Sequence, residues 1–236
     1  YTFVNLMGTN TLQMTFYQVI RTMFYTTNGI FGGPINVCAK FIVVFIIFGA
    51  FLERTGIANF FISLANAVAG AAPGGPAKVA VISSALCGMV SGSSVGNTVT
   101  TGSVTIPMMI KTGYSPRFSA AVESVASTGG QMMPPIMGAA AFIMADVIGV
   151  SYLTIAKAAL IPSVLYYLTL LAIIHLEAVS KNMGTLPPEL VPSAASVLRR
   201  LYYLFPLVFL ITILLMGRSV IACAYYGTVC IVILSM

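Results

Sequence analysis

Apolar residues are grouped along this chain into long uncharged stretches, set apart by short joints that carry charge, glycine or proline. Residues 35–52 form the first strong apolar run, closed by Glu53 and Arg54. The stretch 55–77 is uncharged too, but Pro73, Gly74, Gly75 and Pro76 end it early. It is predicted either to cross back or to lie at the membrane interface. Residues 35–77 together are expected to make scaffold or arm helices. Residues 1–34 are mildly apolar and rich in Thr, Asn and Gly, an amphipathic or loop segment. Further on, 158–176, 201–217 and 219–236 are predicted spans. A transmembrane helix is thus expected within 151–180, and a cytoplasmic linker over 181–200, where Pro187, Pro188 and Pro192 fall.

Two uncharged stretches do not fit plain spans. Residues 79–110 number 32. As one helix they would reach about 48 Å at about 1.5 Å per residue, against a hydrocarbon core of about 30 Å. Their middle, Ser-Gly-Ser-Ser-Val-Gly-Asn-Thr at 91–98, is too polar to face lipid as helix. A re-entrant helical hairpin is predicted, each arm of 12 residues reaching about 18 Å, with the polar tip near the midplane. Residues 124–145, between Glu123 and Asp146, are interrupted by Gly-Gly-Gln-Met-Met-Pro-Pro at 129–135. Adjacent prolines remove two backbone donors and force extended backbone, which predicts a discontinuous helix. Residues 78–150 therefore read as a transport-type unit.

Composition sets the solvent. Charged residues are 7% and hydrophobic residues 58% of the 236, where a soluble domain carries about 25% charged. Lipid is the environment this chain fits, and the fold class expected is an all-α, multi-pass membrane protein. The net charge of +6 is scattered at the ends of apolar runs, not clustered as nucleic-acid binding requires. A hairpin puts Lys78, Lys111 and Arg117 on one side, assigned as cytoplasmic by the positive-inside rule. Following the runs, Lys40, Lys181, Arg199 and Arg200 join them, while Arg54, Lys157 and Arg218 fall outside. Four cysteines lie in apolar runs without metal-ligand spacing and read as packing residues. The chain opens on Tyr1 and closes on Met236 within an apolar run, and is expected to be a piece of a longer protein.

Helix breaks in a bilayer expose carbonyls and amides that need partners. Exposed carbonyls and half-helix C-termini suit a small hard cation, and half-helix N-termini an anionic substrate. Ser91, Ser93, Ser94, Asn97, Thr98, Thr100 and Thr101 add oxygen ligands of the kind Na⁺ takes. Gly88, Gly92 and Gly96 also have the spacing of close helix packing, but packing alone does not call for Asn97 and six Ser/Thr in eleven residues. Glu123 and Asp146 sit at run ends, where an interfacial role or pairing with Arg117 or Lys157 is expected. His175 is the sole histidine and is expected near a loop. No nucleophile–base pair, metal spacing or nucleotide fingerprint points to an enzyme.

The sequences Gly-Gly-Pro-Ala-Lys-Val-Ala at 74–80, Ser-Gly-Ser-Ser-Val-Gly-Asn-Thr-Val-Thr-Thr-Gly-Ser-Val-Thr-Ile-Pro at 91–107 and Val-Glu-Ser-Val-Ala-Ser-Thr-Gly-Gly-Gln-Met-Met-Pro-Pro-Ile-Met-Gly-Ala-Ala-Ala-Phe at 122–142 resemble the large membrane subunit of TRAP transporters, most closely the fused TAXI permease. The resemblance implies Na⁺-driven import of small organic anions, C4-dicarboxylates among them, across the bacterial inner membrane. It implies an extracytoplasmic substrate-binding protein, a small membrane subunit or its fused equivalent, and an elevator movement. It also implies two inverted repeats, of which this chain would hold the first, with 201–236 opening the second. A family Na⁺ site carries over onto Ser91, Ser93, Gly130, Met133 and Pro135, with no cofactor beyond the coupling ion. Ser94, Asn97, Thr98, Thr101 and Gln131 are the polar candidates for substrate. Asn97 stands where dicarboxylate relatives often carry Asp. Two other functions fit polar breaks in a bundle: an ion channel or passive pore, and a non-transporting assembly subunit. Two unequal breaks resemble coupled sites more than a symmetric filter.

Overall fold

The computed structural model describes residues 16–27, 29–181, 183–187 and 191–235, which form helices joined by turns and short non-helical segments, with no strand among them. Residues 1–15 and 28 of the expected N-terminal segment, 182 and 188–190 of the expected linker, and 236 of the last expected span lie outside the described residues. Helix α1 is Phe16–Tyr25. Helix α2, Gly33–Val37, passes through a π-helical turn, Cys38–Ile42, into α3, Val43–Arg54, and α4 is Ile57–Ala69. Helices α5, Gly75–Ser91, and α6, Ser94–Lys111, form a helical hairpin. Helices α7, Pro116–Gly129, and α8, Ala139–Ile148, are two halves of a broken helix, and α9 is Tyr152–Ser180. The chain then forms α10, Ala194–Leu198, a 3-10 turn at Leu201–Leu204, α11, Phe205–Leu215, and α12, Val220–Ser235.

Local chemistry fixes the joints. Ser93, Ser115 and Ser151 each stand in extended backbone before a helix and accept a backbone N–H three residues on. This satisfies a donor that the first turn leaves orphaned. Gly92, at φ +61°, ends α5 in the left-handed region that glycine adopts at little cost.

The bundle has two ends. At the hairpin base, Leu186 N–H donates to the Gly70 carbonyl at 3.0 Å, and Lys78 Nζ meets His175 Nδ1 at 3.0 Å. At the opposite end Asp146, Tyr152 and Val220 line one cavity, and Gly33 faces the Asp146 carboxylate. Helix α3 runs from that end toward the base: Phe45 meets Phe142, and further on Glu53 reaches Thr100. Helix α4 continues in the same sense. Its stripe Ile57, Phe60, Phe61, Ala65 and Ala69 is buried, as an amphipathic helix packed on protein requires, and it reaches the turn before Gly75. The stretch 55–77 therefore does not cross back. Lys40 consequently lies at the Asp146 end, not the hairpin-base end expected for it. Arg54 lines a cavity with Tyr203, which packs on Phe60, so it sits partway along the bundle, not outside it.

The hairpin arms are also longer than expected. They hold 17 and 18 residues, so the first alone reaches about 26 Å, more than halfway across a hydrocarbon core of about 30 Å. Thr98, expected in the polar tip, lies inside α6 with its hydroxyl bonded back to the Ser94 carbonyl at 2.8 Å.

Apolar cores flank the hairpin, a small one of Ala65, Ala69, Val79 and Leu186 near its base and two larger ones. One of the larger two gathers Phe45, Phe48, Leu52, Phe60 and Phe61 with Phe142, Tyr152 and Leu210. The other sets Ala77, Ala80 and Val81 of α5 against Met109, Val122, Ala126, Tyr167 and Ile174. Ile35–Arg54 and Tyr152–Ser180 are each long and apolar enough to cross a membrane. The outside of α9 presents Ile161, Leu165, Leu168, Ile173 and Leu176 exposed, a surface suited to lipid and not to water.

Candidate functional site

The hairpin tip is two residues, Gly92 and Ser93, rather than the eight-residue segment the sequence suggested. It abuts the break between α7 and α8, which covers 130–138 rather than 129–135. Ile136 N–H donates to the Met89 carbonyl at 3.3 Å, and a Cβ on Gly92 would fall 2.1 Å from the Met137 carbonyl oxygen. One turn below, a Cβ on Gly88 would fall 2.5 Å from Gly130 Cα. Glycine is required at both places because backbone meets backbone. The Pro134–Pro135 bond is cis.

The tip separates two cavities. One, of about 320 Å³, lies between tip and break and is lined by Ser91, Ser93, Gln131, Met137 and Phe142 among others. The other, of about 310 Å³, lies between tip, α3 and α4 and is lined by Glu53, Ser91, Ser93, Asn97 and Thr100 among apolar neighbours.

The residues singled out from the sequence fall into three places. Ser91 and Ser93 are at the tip, with Ser93 capping α6. Ser94 Oγ accepts from Gln131 Nε2 at 2.8 Å, a bond that ties tip to break. Thr98 bonds back to Ser94 within its own helix. Across the break, the Gly130 carbonyl accepts from Met133 N–H at 3.3 Å. The Pro135 carbonyl accepts from Tyr152 O–H at 2.8 Å, and Tyr152 also reaches the Ile136 carbonyl. The Met133 side chain packs into the second core. Asn97 is buried, with Nδ2 donating to the Ser84 carbonyl at 2.9 Å and Oδ1 left without a partner. A buried amide oxygen lacking a donor is a ready ligand for a cation or a donor group.

Thr101 turns away from the tip, to a residue whose role the sequence did not reveal. Glu123 is fully buried. Its carboxylate accepts from Ser84 at 2.6 Å, Thr105 at 2.5 Å, Ser127 at 3.1 Å and Thr101. The expected interfacial charge is thus an interior clamp across α5, α6 and α7. It is bonded to hydroxyls and not to Arg117 or Lys157, and the ion pair formed among the described residues is Lys181–Glu177. Asp146 is exposed and likewise pairs with neither. Glu53, which read as the end of a span, accepts from Thr100 O–H at 2.6 Å and lines the second cavity. The signal that could have located Glu123 is its match with Ser127 one turn on, and with Thr101 and Thr105 one turn apart on the hairpin.

Over residues 1–236 the chain matches the family described as Tripartite ATP-independent periplasmic transporter, DctM component. It is similar to the C4-dicarboxylate TRAP transporter large permease protein DctM of Pseudomonas aeruginosa, 33% identical over 61% of this chain and 33% of that protein. A protein of the same name from Vibrio cholerae is 31% identical over 72% of this chain and 36% of its own length. The isethionate TRAP transporter permease protein DctMQ of Oleidesulfovibrio alaskensis is 36% identical over 39% of this chain and 14% of its own length. The chain thus spans about a third or less of the curated relatives it matches.

Proposed function

Since the chain belongs to the DctM component family of tripartite ATP-independent periplasmic transporters, we propose that it supplies the hairpin and broken helix of a Na⁺-coupled secondary transporter, not an enzyme. The substrate class is small organic anions, with C4-dicarboxylates first among them because two of the relatives above carry that name. The TAXI type is proposed on the motifs at 91–107 and 122–142. The working assembly includes an extracytoplasmic binding protein and a small membrane subunit or its fused equivalent. It sits in the bacterial inner membrane and moves the hairpin unit as an elevator.

The observation that carries this reading is the contact of the tip with the 130–138 break. It sets Ser91 and Ser93 in one cavity with Gln131 and Met137 of the break, which supports, as the proposed cation ligands, Ser91 and Ser93 with the main-chain oxygens of Gly130, Met133 and Pro135. Such a set suits Na⁺, which prefers oxygen ligands and needs no carboxylate where several carbonyls converge. Gln131 and Ser94, joined across the two breaks, are the proposed contacts for the anion. The test is uptake of a labelled C4-dicarboxylate by the complete transporter in proteoliposomes, with and without a Na⁺ gradient. S93P is expected to abolish uptake and S91A to have a mild effect, because the proposed ligand there is main chain. Uptake independent of Na⁺ overturns the coupling.

A further inference from the structure

Glu123 takes no part in the cation site proposed above, yet it is the most enclosed carboxylate among the described residues. Burying an ionised carboxylate without a cation is costly, and intramembrane acids are functional candidates for that reason. Charged and titratable groups lie on the helices around it. Helix α5 carries Cys87, with Lys78 near the base. Helix α6 carries Lys111 at its far end, α7 carries Arg117 at its start, α9 carries Tyr152, Lys157, Tyr166, Tyr167, His175 and Glu177, and α3 carries Glu53 and Arg54. The Tyr167 hydroxyl donates to the Ala126 carbonyl at 2.9 Å, not to the carboxylate. No cation neutralises Glu123 within this cage.

The hydroxyls around it have two satisfied arrangements. With the carboxylate ionised, Ser84, Thr101, Thr105 and Ser127 all donate to it. With a proton on Oε2, that O–H donates to Thr105 Oγ1 across the same 2.5 Å. The Thr105 hydrogen then turns to the Thr101 carbonyl at 3.0 Å, and the Thr101 hydrogen has the Asn97 carbonyl at 2.7 Å. Ser84 and Ser127 keep Oε1. Each state leaves every donor and acceptor paired, so exchange requires hydroxyl rotation and no movement of helices. The cage also lies one hydrogen bond from a cavity. Asn97, which lines that cavity and has a buried, unpartnered Oδ1, holds the Ser84 carbonyl.

We propose that Glu123 is an intramembrane proton-binding site linked to the hairpin tip through Thr101 and Asn97. The proton comes from water in the cavity beside Asn97 and returns to it; no other bond is made or broken.

The test is infrared difference spectroscopy on the complete permease in lipid nanodiscs, titrated with acid and base at fixed Na⁺, with thermal unfolding confirming that each variant is folded. The expected result is a protonated-carboxyl C=O band that grows on acidification, is lost in E123Q and shifts in frequency in E123D. E123D keeps the test decisive where E123Q does not fold. A wild-type permease without such a band, or a band unmoved by E123D, overturns the proposal. So does a band that Na⁺ removes at constant pH, because the carboxylate would then be a cation ligand. S93P is expected to leave the band in place, so failure of the Na⁺ site and failure of the proton site read out separately.

Discussion

Replacing Gly92 by alanine tests whether the hairpin tip is seated on the broken helix. The residue stands at φ +61°, in a region that costs a non-glycine residue about 1–2 kcal/mol. The added Cβ would also lie 2.1 Å from the Met137 carbonyl oxygen, where ordinary contact begins near 3.4 Å, so tip and break must part by more than an ångström. Overpacking of that kind adds about 1–3 kcal/mol. The sum for G92A is about 2–5 kcal/mol. Gly149 supplies the control: it ends α8 at φ +73° with nothing within 4 Å of its Cβ position, so G149A carries the backbone cost alone. Thermal unfolding of the purified permease in one detergent compares the two. G92A is expected to lower the midpoint clearly more than G149A. Equal shifts would mean that the tip is not packed against Met137, and the seating described above would fail.

Y152F removes the hydroxyl that serves the Pro135 and Ile136 carbonyls. It is expected to cost about 1–3 kcal/mol and to speed amide hydrogen exchange around 130–138, whereas unchanged exchange there would separate Tyr152 from the break. Y114F removes a buried hydroxyl that has no partner, so its unfolding midpoint is expected to stay level or rise. Burial, and after it the Glu177 carboxylate, holds the Tyr114 phenol above its ordinary range. The folded chain therefore keeps that proton longer than the unfolded one, and stability falls as pH rises beyond about 10. That fall is expected to be smaller in Y114F, and an identical pH dependence in both proteins would contradict it.

The joints of this fold are legible in the sequence; their extent and partners are less so. The cluster at 91–98 marks a break, but it cannot say that Asn97 and Thr98 would enter a helix. Short hydroxyl side chains suit either state, and the choice depends on whether the carbonyl one turn back is free. The break at 130–138 is visible because Pro134 and Pro135 have no donors to contribute. The course of α3 and α4 is hidden, because an uncharged stretch reads alike whether it faces lipid or another helix. Glu123 is hidden for another reason. Standing just before an uncharged run, it looks like a charge at the water's edge. Its partners Ser84, Thr101 and Thr105 lie 39, 22 and 18 residues away, and only the folded hairpin brings them to it.

The approach of Gly88 to Gly130 has a consequence for how such a site can vary. The gap between hairpin and unwound segment is set there by main chain against main chain. Side chains around the cavities can therefore be exchanged while the spacing of hairpin and break stays as it is. Under the proposed function, selectivity for the cargo and geometry for the ion become separable in this way.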